Sequence, residues 1–487
     1  MESLATYDLS RMLLQRAIAL VYLIGFLVAV NQFRPLLGER GLLPVPLYTA
    51  QVPWTSSPSL FYLWPEDAAF AAAAWLGVGL SALALLGLPE RGGWWASALV
   101  WSLLYALYFS FVNVGQTFYA FGWESLLLEA GFYAIFLGPA AVHCPRLMNW
   151  IYRWMLFRIM FGAGLIKLRN DSCWRDLTCL FYHFETQPMP NPLSWYFHWL
   201  PKPLLQGGVL FNHFVELVVP FGLFLPQPFA SAAGLFNLAF HSLLAISGNF
   251  AFLSFGAMVL SLACFDDRFL SAALRLARPA LQEPSALYSG AVYVLGAVVA
   301  LCSVPVVMNL LSAHQAMNAS YNPLYIANTY GAFGSITRPR YEVVVEGTAE
   351  EALTSQTRWR EYEFKGKPGD VRRRPPQVAP YHLRLDWLMW FAGFGDWRQH
   401  AWFVHFLDKL LEGDRATLSL LRSNPFPGGP PKHVRALRYE YHFTTPAERR
   451  ASGAWWTRRL VGPYFPAVSR DDPWFRELLM SQGWQAP

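Results

Sequence analysis

Nine stretches of this chain are too apolar and too long to be left in water. They cover residues 12–30, 67–88, 94–112, 118–142, 148–167, 208–226, 229–247, 249–265 and 286–311. About 20 apolar residues of helix cross the hydrocarbon core of a bilayer. No water is present there to satisfy backbone N–H and C=O groups, so each crossing has to be helical. Repetition of such runs predicts a multi-pass α-helical membrane protein of about nine spans, with the runs between 208 and 265 also open to a broken or re-entrant form. Only 14% of the residues are charged, against about 25% in soluble chains. No small-residue cleavage site precedes Asn31, and further spans follow, so the first run reads as a retained helix rather than a signal peptide.

The charge distribution changes abruptly near residue 311. Residues 311–487 hold 23 Lys and Arg against 17 Asp and Glu, while the rest of the chain holds 15 of each. This step divides a membrane region, 1–311, from a soluble C-terminal region, 312–487. In the latter, YEVVVEG (341–347), EYEFKG (361–366) and VRALRYEYHFTT (434–445) alternate as strands do. HAWFVHFLDKLLE (400–412) has helical spacing, and KPGD and SNPFPGGPP are turns. A mainly-β domain with one or two helices is expected. Acids interspersed among its bases, and the lack of an RNA-binding signature, exclude nucleic acid as a partner. Membrane lipid is a partner by construction. Arg11 and Arg16 beside the first span place the N-terminus in the cytoplasm by the positive-inside rule. Nine spans then put the soluble region on the opposite face, together with the loop that follows the fifth span.

That loop is the densest part of the chain. GAGLIKLRNDSCWRDLTCLFYHFETQPMPNPLSWYFHWL (162–200) leaves an apolar helix and turns polar, aromatic and proline-rich. The polar segment 168–207 carries Cys173, Trp174, Arg175, Asp176, Cys179, His183, Glu185 and Met189. The Cys173–Cys179 spacing fits neither a CxxC redox pair nor a zinc knuckle. A structural disulfide is expected in an oxidising compartment, with a reduced or exchange-active pair as the alternatives. The Pro188-Met189-Pro190-Asn191-Pro192 run has to be extended. It offers apolar contact either to a client protein or to the soluble region. Asn170 and Asn318 open glycosylation sequons that read as chance occurrences close to spans.

Charged residues inside apolar runs need partners. Glu124, Glu129, His213, Glu216, Asn237 and His241 are expected to form a polar cluster inside the bundle. His213 and Glu216, three apart, share one helix face. They could begin a metal site, but nothing completes one, and hydrogen bonding between helices is the simpler role. Lys167 follows the small residues Gly162-Ala163-Gly164. It is either an interfacial lysine with its head in water or a buried one able to act as a base. No GxSxG, Walker loop, dinucleotide fingerprint or HExxH is present, and neither cofactor nor metal is expected.

At these residues the chain resembles the lipase maturation factor family. The segment 162–201 looks like that family's signature loop. NHFVELVVPFGLF, SGNFAFLSF, SLACFDD, NTYGAFGSITRPRYEVVVEG, WREYEFKGKPGDVRRRPPQVAPYHLRLDWLMWFA and VRALRYEYHFTT resemble its other blocks, in order, from about residue 10 onward. The resemblance implies a multi-pass protein of the endoplasmic reticulum membrane with its C-terminal domain in the lumen. Members assist folding and assembly of secreted lipases and are not enzymes of known reaction. A bacterial member would occupy the inner membrane with that domain in the periplasm. A more distant likeness, confined to Gly162–Trp174, is to the membrane part of vitamin K-dependent carboxylases, where Lys167 would correspond to a catalytic base. Three readings follow. The first is a folding factor that holds a secreted client on the 168–207 segment and the β-rich domain. The second is an intramembrane enzyme built on Lys167, Glu124, Glu129, His213 and Glu216. The third, weaker, is a thiol-exchange helper using Cys173 and Cys179.

Overall fold

The computed structural model describes residues 5–277 and 281–483. Six of its helices are both long and apolar enough to cross a membrane. They are α1 (Asp8–Leu37), α2 (Asp67–Leu86), α3 (Trp94–Val114), the helix Lys202–Gly222, α7 (Phe229–Ser247) and α9 (Ala286–Leu311). The other three expected spans also form helices, but of different character. Residues 118–142 yield the 13-residue α4 (Gly122–Ala134), nearly all of it buried. Residues 249–265 yield α8 (Leu253–Ser261) with a short continuation. Residues 148–167 yield the 23-residue α5 (Leu147–Arg169), about 34 Å long by its rise per residue. Its buried Arg153, Arg158 and Lys167 keep it from being uniformly apolar. All nine expected runs thus form helices, six of them long and apolar enough by length and composition to cross a membrane and the other three packed largely against protein.

The Lys202–Gly222 helix is not regular. After α6 (Lys202–His213) it widens into a π turn over Phe214–Val218 and resumes at Val219–Gly222. Pro220 explains the widening. It has no N–H to give the carbonyl four residues back, and its ring would strike that carbonyl, which belongs to Glu216.

The C-terminal region holds a four-stranded antiparallel sheet. Its order is β2 (Arg360–Glu361), β1 (Arg340–Thr348), β3 (His433–Phe443) and β4 (Trp456–Val468). Glu363–Phe364 pairs separately with Leu421–Ser423, which splits the expected 361–366 strand between two sheets. Strand β4 carries Gly462, Pro463 and Pro466, so its sequence hides it. As an edge strand it tolerates their missing donors. The region's helices exceed the one or two expected: beside α10 (Arg384–Ala392) and α11 (Ala401–Glu412) there are further ones at Pro446–Ser452 and Pro473–Ser481. One contiguous apolar core runs from the bundle into this region, taking in Leu36, Leu37 and Leu42 on one side and Trp402, Phe403 and Phe406 on the other.

Candidate functional site

The cysteine-bearing segment lies between the end of the helix bundle and the sheet, and both hold it. Where α5 ends, Asp171 caps the next turn by accepting from the Cys173 N–H at 3.0 Å. The same carboxylate accepts two guanidinium bonds from Arg338, each 2.9 Å, and the Ile336 N–H at 3.1 Å. The Arg338 hydrogen bonds hold this carboxyl well below the usual range. Two cysteines six residues apart on such a tight turn have Cα atoms 4.8 Å apart, and Cys173 and Cys179 are joined as a disulfide. Their residues are 1% and 0% exposed, in a small core with Trp174, Val209 and Ile336. The Asp171 carboxylate and the two sulfurs lie within 4.8 Å of one another, but sulfurs bonded to each other are not thiolate ligands.

Downstream, His183 is buried with its ring against Phe250 and Phe333. Burial, helped by the charge of Lys167, pushes this imidazole down to about 3. Glu185, also buried, accepts the Phe443 N–H at 2.7 Å and faces His442 Nδ1 at 3.0 Å. Arg340, at the start of β1, donates to the carbonyls of Glu185 (2.8 Å), Gln187 and Pro188 (3.0 Å). A second carboxylate, Glu342, orients Arg340 and pairs with Lys367. Trp390 donates to the Thr186 carbonyl at 3.0 Å and Trp195 to that of Thr444 at 2.8 Å. Met189 is fully buried, and its carbonyl accepts the Asn249 N–H at 3.1 Å. The proline run thus packs against the protein's own C-terminal region. Of the eight residues expected to hold a client or shape the loop, Cys173, Trp174, Cys179, His183, Glu185 and Met189 are buried, and Arg175 and Asp176 are exposed.

The intramembrane polar residues do not meet in one cluster. Lys167 donates to Glu216 at 2.5 Å and to Asn212 at 3.1 Å, and Asn212 donates to Glu216 at 2.8 Å. The Trp174 ring covers the ammonium at 5.0 Å, and His213 Nε2 bonds the Trp174 carbonyl at 2.9 Å. Gly164 makes this approach possible, because a Cβ there would sit 2.7 Å from Leu217 and 3.0 Å from the Glu216 Cβ. Glu124 belongs elsewhere, paired with Arg384 of α10 at 2.7 Å and with the Tyr108 hydroxyl. Glu129 forms a third centre with Arg158, the Asn328 backbone N–H (3.1 Å) and side chain (2.8 Å), Tyr330 (2.8 Å) and Tyr133 (2.8 Å). His241 and Asn237 join none of these three acids; His241 Nε2 lies 3.2 Å from the Met160 sulfur, and Asn237 donates to the Ala233 carbonyl at 2.8 Å.

Sequence reasoning missed Arg158, Asn328, Tyr330, Arg340, Glu342 and Arg384, which complete these centres. Arg158 alone carried a signal, as a cation in the middle of an apolar run requires a counter-charge.

Apolar spans, an inner layer of charged helices and a sheet fastened across one end define a multi-pass membrane protein with a C-terminal, mostly-β domain. The profile of the lipase maturation factor transmembrane domain matches residues 9–272, and that of the lipase maturation factor C-terminal domain matches residues 326–466. The chain belongs to the lipase maturation factor family. It is 44% identical to lipase maturation factor 1 of Bos taurus, over 99% of this chain and 92% of that one. To lipase maturation factor 1 of Homo sapiens it is 43% identical, over 99% and 91% of the two chains. To human lipase maturation factor 2 it is 30% identical, over 98% and 85%. No solved structure matches it significantly.

Proposed function

We propose that this protein is a maturation factor of the endoplasmic reticulum membrane that helps a secreted lipase fold and assemble, with its C-terminal region in the lumen. The observation that carries the reading is the clamp of the 168–207 segment onto the sheet by Glu185, Arg340 and Trp195. It makes one rigid face from a disulfide-closed turn and a β-sheet. A disulfide belongs in an oxidising compartment, which supports the lumenal placement. Folding intermediates expose apolar surface and aggregate, and a fixed face beside the membrane could hold such surface until the client's subunits meet. The exposed Arg175 and Asp176, and the exposed Tyr196 and Trp199 further along the same segment, are the candidate contacts. Cys173, Cys179, His183, Glu185 and Met189 shape that face from within.

The folding-factor reading is favoured over an intramembrane enzyme by the state of Lys167, whose ammonium is already paired with Glu216 and covered by Trp174. It is favoured over thiol exchange by the burial of both sulfurs. The experiment is complementation. Cells lacking their own maturation factors express a secreted lipase with and without this chain, and active lipase in the medium is measured. A rise is expected with the intact chain and not with Glu185→Ala. Equal activity with and without the intact chain would sink the proposal.

A further inference from the structure

Two spans end beside the short helix Ser194–His198 and set its level against the bilayer. Ser194 Oγ donates to the carbonyl of Ser247, the last residue of α7, at 2.8 Å. Trp195 and Trp199 donate to one carbonyl, that of Thr444, at 2.8 and 3.1 Å. They therefore stand side by side, and Trp199 is three residues ahead of Lys202, where the other span starts. That span has 21 residues, about 31 Å of helix, and the hydrocarbon core of a bilayer is about 30 Å thick. Lys202 accordingly marks the edge of that core.

Both spans turn an apolar face outward. On Lys202–Gly222, Leu204, Gly207, Leu210, Phe214, Val218 and Phe221 are exposed at helical spacing. Phe214 packs edge-on against Phe236 of α7, and each is 41% exposed, so the two faces are one surface. Exposed Leu243 and Ile246 extend it to the end of α7.

At that end lies a group of opposite character. The Arg449 guanidinium, on the helix Pro446–Ser452, is 3.4 Å from the centre of the Trp455 ring, 4.6 Å from that of Trp195 and 5.5 Å from that of Tyr196. Arg374 approaches the same Trp455 ring at 5.3 Å and donates to the Pro192 carbonyl at 3.1 Å. Among the described residues neither arginine is held by a carboxylate. Trp195 and Trp455 are buried, whereas Tyr196 and Arg374 are exposed. Hydrogen bonding to Arg449, with the charge of Arg374, lowers the Tyr196 hydroxyl below the usual tyrosine value. Two guanidiniums and a phenol thus converge at the edge of a tryptophan platform. Cations gathered without a carboxylate repel one another, and a shared anion removes that cost. Planar guanidinium forks match phosphate oxygens in pairs.

We propose that Arg374, Arg449 and the Tyr196 hydroxyl bind the phosphate of a phospholipid headgroup whose acyl chains lie along the outward face of Lys202–Gly222 and α7. Phospholipid is the occupant because the cationic group stands at headgroup depth, at the end of an apolar surface shared by two spans. The bound phosphate pins the C-terminal region to the leaflet, whatever the client. It takes Tyr196 into the membrane surface and leaves Arg175 and Asp176 to the client.

The test titrates the full-length protein in detergent with dioleoylphosphatidylglycerol and follows the first lipid bound by native mass spectrometry. The parent is expected to retain this lipid but not dioleoylglycerol, which has the same chains and no phosphate. Excess inorganic phosphate should leave the lipid bound, because it lacks the chains that lie on the spans. The Arg374→Gln, Arg449→Gln double variant should bind the lipid about tenfold more weakly. Arg398→Gln, which removes an exposed arginine paired with Asp396, should bind as the parent does. The two single variants are run alongside, so the comparison stands even where the double variant melts early. Binding by these variants equal to that of the parent overturns the proposal. So does equal retention of dioleoylglycerol, or full displacement by inorganic phosphate. Benzoylphenylalanine placed at Tyr196 is expected to form phospholipid adducts in cells; capture there of a secreted protein and no lipid would give the site to the client and overturn it.

Discussion

The carboxylate of Glu185 accepts the backbone N–H of Phe443 at 2.7 Å, joining a loop that leaves the fifth long helix to the last residue of a strand 258 positions later. Glu185 stands where β3 would otherwise end on an unpaired donor. Arg340 holds the backbone of the same loop through three carbonyls. The loop and the sheet are consequently one unit.

Glu185→Ala should free that unit. It leaves a buried N–H and one face of His442 without a partner, which costs about 2–3 kcal/mol for a charge-assisted contact. Limited proteolysis should then cut within 180–207 in the variant and not in the parent. Unchanged cleavage would show that Arg340 and the tryptophans hold the segment without it.

His442 makes the clamp sensitive to pH. Its two ring nitrogens face carboxylates, Glu185 at 3.0 Å and Glu440 at 3.3 Å, and both can be donors only in the imidazolium form. His198 lies 3.8 Å from the far side of Glu185, and Arg459 pairs with Glu440. The hydrogen bond to Glu185 raises the His442 value above that of a free histidine, against a smaller opposing effect of burial. A raised value means that the folded state binds the proton more tightly. The stabilisation is therefore complete below about pH 6.5, the unfolded value, and is lost as pH rises through the folded one. The side chain is half exposed, so solvent limits the effect to below about 1 kcal/mol. Hydrogen exchange at Phe443 should be slower at pH 6 than at pH 8 after correction for the intrinsic rate, and His442→Gln should remove the difference.

Reducing or deleting the disulfide should loosen the turn without exposing a reactive thiol. Closing so small a loop contributes about 2 kcal/mol in the chain-entropy view. The Cys173→Ser, Cys179→Ser double variant should lose about that much stability in a thermal melt in detergent. In the Cys179→Ala single variant, Cys173 should resist maleimide while the protein is folded, because the site is closed to solvent. Rapid labelling would revive the exchange reading.

The pair of Arg158 and Glu129 offers a test of the bundle interior. Both side chains are fully buried. Arg158→Met leaves the carboxylate without its cation and should cost about 3–5 kcal/mol, seen as poor expression or a lowered melting temperature. Adding Glu129→Gln removes the uncompensated charge and should restore part of the loss. A double variant no better than the single one would mean that Asn328 and Tyr330 need the ionised acid.

Much of this architecture could be read from residues 12–311, because the apolar runs state where helices lie. What could not be read is which helices face lipid. The runs at 118–142 and 148–167 have the apolar character of spans, yet they carry Glu124, Glu129, Arg158 and Lys167 inward. Their partners Arg384, Asn328 and Glu216 lie 260, 199 and 49 residues from the groups they meet. Strand β4 escaped notice because edge strands tolerate proline, which masks the alternation by which β1 and β3 were found.

The sequence by itself determined the class of protein, the helical bundle, the β-rich end and the likeness of its blocks to one family, and it left the Cys173–Cys179 bond as the expectation that the structure then met. These follow from short-range rules, since hydropathy and spacing act over a turn or a strand. Tertiary structure alone decided that the cysteine segment is clamped rather than free, that Lys167 is matched to Glu216, and that Met189 faces inward. Each of those depends on which distant groups come within hydrogen-bonding range, and a buried charge or donor settles only once the whole chain has brought its partner.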